Sequence, residues 1–123
     1  MAASMTGVSP TVMNIGRERE YEQVASQPSL HAELRRDKKV IVVIPAYNEE
    51  RFIGSVVLRA RQHADIVLVI DDGSPDATSE IALAAGAVVI RQEQNGGKGV
   101  ALNTGLHKAR ELSPDVVVLI DGD

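Results

Sequence analysis

Four short apolar runs constrain this chain more than anything else in it: Val40–Ile44, Ile66–Ile70, Ala87–Ile90 and Val116–Ile120. Each is rich in Val and Ile, is too short for a helix, and shows no polar residue at alternate positions. Such runs predict strands buried on both faces, and that burial is the mark of a parallel sheet covered by helices on each side. Between them lie segments with helical spacing. Ile53, Val56, Val57 and Ala60 form one stripe, Ile81 and Leu83–Ala85 a second, and Leu102, Leu106 and Ala109 a third. From Lys39 onward the order is therefore β-α-β-α-β-α-β, an α/β fold with helical crossovers.

Local signals set the expected boundaries. Pro45 ends the first strand, and Asn48 reads as a helix N-cap with Glu49 and Glu50 in the first turn. Ser74 followed by Pro75 reads as a second N-cap, and Gly86 closes that helix. Ser113-Pro114 ends the third. Residues 1–38 have no sustained periodicity and a balanced charge, so they are expected to form a flexible tail, with a short helix around Leu30–Arg36. Residues 39–123 are the expected domain.

Composition closes several routes to function. The chain has no Cys, which removes a disulfide scaffold, a thiolate zinc site and a Cys nucleophile, and it fits a reducing compartment. Tyr21, Tyr47 and Phe52 are the only aromatics, too few for rows of stacked bases. The net charge of −4, all of it within residues 39–123, argues against binding nucleic acid. His31, His63 and His107 are scattered and read as surface residues. No apolar run approaches the length of a membrane span, and no signal peptide is expected.

In a parallel α/β sheet, ligands bind beyond the carboxyl ends of the strands. Every unusual cluster of this sequence falls there. Asp121-Gly122-Asp123 follows the last strand; residues i and i+2 of an extended chain face one side, about 6.6 Å apart. Two hard oxygen donors so placed suit Mg²⁺ or Mn²⁺, though an Asp-Gly turn would also explain them. Asp71-Asp72-Gly73-Ser74 offers a carboxylate to a nucleobase or ribose, with Asp72 the favoured contact, or else simply caps a turn. Asn95-Gly96-Gly97-Lys98-Gly99 suits a phosphate, because glycines admit close approach and a Lys stands beside a helix N-terminus. It matches neither the P-loop nor the dinucleotide fingerprint, and a flexible turn is the alternative. In Pro45–Glu50, Tyr47 can lie along a planar base and Glu49 can accept hydrogen bonds, or the two can serve the sheet edge and the helix dipole.

Taken in order, VVIPAYNEE, VIDDGSPDAT, NGGKGVALNTGL and VVVLIDGD resemble the first half of a family 2 glycosyltransferase of the GT-A fold, over about residues 39–123. The resemblance implies a GT-A (Rossmann-like) parallel sheet, truncated after its fourth strand. It implies that Pro45, Tyr47 and Glu49 line the base and ribose of a sugar nucleotide (UDP- or GDP-linked), that Asp72 contacts the base, and that Lys98 lies near the phosphates. Asp121 and Asp123 match the DxD-type pair that holds Mg²⁺ or Mn²⁺ against the diphosphate. The implied reaction is inverting sugar transfer. The AYNEE and NGGKG wording is most similar to polyprenyl-phosphate sugar synthases, which implies a polyprenyl phosphate acceptor at the membrane surface and a cytoplasmic location, peripheral at the membrane face.

Family members continue past the DxD pair to an acceptor site and a carboxylate general base. The base is therefore expected beyond residue 123, and this chain alone is expected to be inactive. A non-catalytic nucleotide- and metal-binding fragment, or a remnant with the fold only, are the alternatives. In the family's strand order Val116–Ile120 would be an open apolar edge, so a weakly stable, self-associating domain is expected.

Overall fold

A computed structural model describes residues 38–120 and the backbone of Thr11–Asn14. The elements run β1 (Thr11–Asn14), β2 (Val40–Ala46), α1 (Ile53–Arg61), β3 (Ile66–Asp71), α2 (Thr78–Ala84), β4 (Val88–Arg91), α3 (Lys98–Glu111) and β5 (Val116–Leu119). All five strands pair in parallel, in the order β1-β5-β2-β3-β4. The expected α/β architecture is therefore present.

Three of the four apolar runs have the expected cause; the third forms β4, an edge strand whose Val88 is exposed because no strand lies beyond it. Along β2, Val40, Val42 and Ile44 face a core shared with α1 and α2, while Ile41 and Val43 face a second core under α3. Both layers exclude water, so neither strand face carries a polar residue until the strand ends. α3 lies close to the sheet through Gly105: a Cβ there would stand 2.5 Å from Val43 Cγ1 and 3.1 Å from Ile70 Cγ1. Carboxylates anchor the opposite end. Asp65 accepts from the Val40 N–H and Asp115 from the Lys39 N–H, both at 2.8 Å.

Three expectations are corrected. Pro45 does not end its strand but lies within β2, in register with Ile70. The sheet tolerates it because the Val43 carbonyl accepts the Ile120 N–H, and Pro45, two residues on, faces the same side where β5 has run out. Asn48 and Ser74 are not helix caps; α1 begins after Phe52 and α2 after Ala77. The tail expected over residues 1–38 contains β1, which pairs Thr11–Asn14 with Val116–Leu119. That pairing covers the edge expected to be open, so β5 has a neighbour on both sides. The helix expected around Leu30–Arg36 lies outside the described residues. Gly86, with φ of +105°, does end α2 as its position suggests.

Candidate functional site at the carboxyl rim of the sheet

The turn after β2 is held by the turn after β3. Asn48, at a φ of +57°, donates its N–H to Ser74 Oγ at 2.9 Å. The Glu49 N–H donates to Thr78 Oγ1 at 2.9 Å, and the Glu50 N–H to Asp76 Oδ2 at 3.3 Å. In return the Ala77 N–H donates to Glu50 Oε1 at 3.0 Å. These contacts occupy the residues that resemble caps and fix the backbone that carries Tyr47 and Glu49. Asp76 also accepts from the Thr78 hydroxyl. That hydrogen bond, with backbone N–H donors of Thr78 and Glu50, outweighs desolvation and holds the Asp76 carboxyl below its ordinary range.

The two adjacent aspartates separate into different tasks. Asp71 is fully buried and turned inward. It accepts from the Ser74 N–H at 2.9 Å, from the Ser79 hydroxyl, and from Arg91 Nη1 at 2.8 Å. Burial pushes its pKa up, but the hydrogen bonds from Ser74 and Ser79 and the Arg91 charge prevail and leave it lowered. Asp72, one residue on, reaches the third turn: Oδ1 accepts the Gly96 N–H and Oδ2 the Gly97 N–H, each at 2.8 Å. A carboxylate has about four acceptor sites, so two donors leave Asp72 able to take another.

Gly73 lets these turns meet. Its φ is +80°, and a Cβ would lie 3.2 Å from the Asn95 nitrogen and 3.3 Å from the Gln92 carbonyl oxygen. Gly97, at φ +93°, then starts α3, with Lys98 as the first helical residue. The positive end of α3 and the Lys98 side chain thus meet at one place.

The three turns enclose a cavity of about 290 Å³. Pro45, Tyr47, Glu49, Asp72 and Lys98 all line it, so the structure brings together five of the residues singled out in the sequence. Asn95, Gly97 and Ala101 line it too. Asn95 and Gly97 belong to the glycine-rich turn, while Ala101 could have been found from helical spacing, three residues after Lys98. Tyr47 is 44% exposed, so it remains accessible to a ligand in the cavity.

Asp121 and Asp123 lie outside the described residues. Ile120, directly before them, lines a second cavity of about 110 Å³ that shares Pro45, Ala46 and Glu49 with the first. Among the described residues no group of three or more His, Asp or Glu is placed to hold a metal ion. Nor, among them, is any helix long and apolar enough to cross a membrane.

Residues 41–123 match the family model described as glycosyl transferase family 2. The chain is 40% identical to the uncharacterized protein MJ1222 of Methanocaldococcus jannaschii, over 83% of this chain and 42% of that protein. It is 37% identical to the UDP-N-acetylglucosamine–dolichyl-phosphate N-acetylglucosaminyltransferase of Methanococcus voltae, over 71% of this chain and 42% of that enzyme. Among solved structures it is similar to glucosyl-3-phosphoglycerate synthase from Mycobacterium tuberculosis in complex with Mn²⁺, UDP and glucosyl-3-phosphoglycerate. There the TM-score is 0.60 at 34% identity, covering 77% of this chain and 37% of that one. The chain thus spans well under half the length of the relatives it matches.

Proposed function

The chain belongs to glycosyl transferase family 2, and from that membership we propose that the cavity at the sheet's carboxyl rim binds the nucleoside diphosphate of a sugar nucleotide. The domain would be the donor-binding part of an inverting, cation-dependent glycosyltransferase. The observation that carries this reading is the convergence of Tyr47, Glu49, Asp72 and Lys98 on one cavity. Fold alone would not suffice, since similar α/β sheets host many chemistries.

Each group has a task its chemistry suits. The accessible Tyr47 stacks on the base. Asp72, held by two backbone donors, accepts a ring N–H of the base; a UDP complex of the similar synthase supports uracil as that base. Lys98 and the α3 N-terminus face the diphosphate and offset its charge. Asp121 and Asp123 would hold Mg²⁺ or Mn²⁺, their hard carboxylate oxygens suiting either ion. A cation bound there supplies charge neutralisation for the departing diphosphate. In the transfer itself, an acceptor oxygen bonds to the anomeric carbon as that carbon's bond to the diphosphate oxygen breaks. A hydroxyl acceptor passes its proton to a general base, whereas an ionised phosphate acceptor attacks as the anion and has none to transfer.

We place that base and the acceptor site in the part of the relatives that this chain does not span. Relatives named for dolichyl phosphate support a polyprenyl phosphate acceptor, and we propose the cytoplasmic face of a membrane as the site of action.

Calorimetry on the full chain tests the proposal, using UDP and GDP with and without Mn²⁺, alongside Asp72→Ala. UDP should bind more tightly than GDP, and more tightly with Mn²⁺ than without. Asp72→Ala should weaken UDP about tenfold or more, since a lost hydrogen bond to a charged group costs about 1.5–3 kcal/mol. No binding of either nucleotide, or an Asp72→Ala variant that binds as wild type, would overturn the reading. Release or transfer of sugar from UDP-glucose by this chain alone would overturn the placing of the base and acceptor site outside it.

A further inference from the structure

Arg91 lies at the end of β4, outside the cavity, and no feature of the sequence marks it. Its guanidinium nonetheless closes a two-armed bridge. Nη1 donates to Asp71 Oδ2 at 2.8 Å, and Nη2 donates to the Ser74 carbonyl at 2.7 Å. Those two acceptors bracket the turn that carries Asp72. The same Ser74 donates its N–H to Asp71 and receives the Asn48 N–H on its hydroxyl. A continuous set of hydrogen bonds therefore runs from Arg91, through Asp71 and Ser74, to the backbone between Tyr47 and Glu49. It also sets the place of Asp72, on which the N–H groups of Gly96 and Gly97 depend.

The bridge differs from an ordinary surface ion pair. The Asp71 carboxylate is wholly buried, whereas the Arg91 side chain is 48% exposed. A buried carboxylate needs its partners, and a planar fork fixes direction as well as charge. We infer that Arg91 is a positioning residue of the candidate nucleotide site, holding the Asp72 turn and the Tyr47–Glu49 turn in their mutual arrangement through Asp71 and Ser74. The inference deepens the nucleotide-binding reading and rests on it for its functional consequence.

Two variants of the full chain test it. Arg91→Lys keeps a cation beside Asp71 but lacks the fork; Arg91→Gln removes the charge. The first measurement is amide hydrogen exchange. Both variants should speed exchange about tenfold or more at Asn48, Ser74, Gly96 and Gly97. Arg91→Lys should leave Leu106 and Ala109, within α3, unchanged. The second is UDP affinity in the presence of Mg²⁺, which should fall about tenfold in both variants, the size of one lost charge-assisted hydrogen bond. Wild-type exchange at the four turn amides in Arg91→Lys would overturn the inference. So would an equal rise throughout α3, which would show only a general loss of stability. If Arg91→Gln does not fold, Arg91→Lys alone decides. If the wild-type chain binds no UDP, the nucleotide reading fails, and the exchange data still uphold or overturn the positioning claim.

Discussion

Gly105→Ala probes how α3 delivers its N-terminus to the site. The added Cβ would stand 2.5 Å from Val43 Cγ1 and 3.1 Å from Ile70 Cγ1, and both of those residues are fully buried. Ordinary contact is about 3.5–4.0 Å, so something must move by about 1 Å. Val43 is β-branched and confined within β2, which leaves displacement of α3 as the softer response. Overpacking of this kind costs about 1–3 kcal/mol. Replacing a helical Gly returns up to about 1 kcal/mol, for a net loss of about 1–2 kcal/mol. Lys98 stands seven residues before Gly105, about 10 Å along the axis, so a tilt reaches the cavity. Urea unfolding should show a midpoint lowered by about 1–2 M at unchanged slope, for a slope of about 1 kcal/mol/M. Val43→Ala should make room, so the double variant should be more stable than the sum of the single losses by about 1 kcal/mol or more. At Gly99 a Cβ meets nothing within 4 Å, and Gly99→Ala should stabilise the chain. A Gly105→Ala variant that gains stability as Gly99→Ala does, with no coupling to Val43, would refute the close-packing argument.

Two further outcomes are expected. The lowered pKa of Asp71 means that the folded state binds its proton less readily than the unfolded chain. Its stabilising contribution is therefore complete above the ordinary value of 3.8 and disappears as pH falls through the lower folded value. Unfolding midpoints measured downward from about pH 5 should fall more steeply for wild type than for Asp71→Asn. Removal of residues 1–14 takes away β1 and uncovers the β5 edge, so sedimentation should show self-association that the full chain lacks.

The parts of this fold legible in the sequence are those that depend on local pattern. Val40–Ile44, Ile66–Ile70 and Val116–Ile120 are apolar throughout because both of their faces are buried, and no partner need be known to see it. The clustering of Tyr47, Asp72 and Lys98 follows from the same pattern, since parallel strands end on one rim. What was not legible depends on partners distant in the chain. Asn48 and Ser74 have the chemistry of caps, yet the Ser74 hydroxyl accepts the Asn48 backbone N–H across 26 positions. Asp71 and Asp72 are alike locally; their separation into a buried anchor and a cavity carboxylate is decided by Arg91, Ser79 and the Gly96–Gly97 backbone. Thr11–Asn14 shows no alternation or apolar run, and only the exposed edge of β5, over a hundred residues later, makes it a strand.

The central claim is that the turns after β2, β3 and β4 form one nucleotide site. A residue-by-residue NMR titration of the full chain with UDP and Mg²⁺ tests it most directly. The account predicts amide shift changes concentrated at Tyr47, Glu49, Asp72, Gly96, Gly97 and Lys98, saturating together. Changes centred on Asp65, Gly86 and Asp115, at the opposite end of the sheet, or none at all, would contradict it.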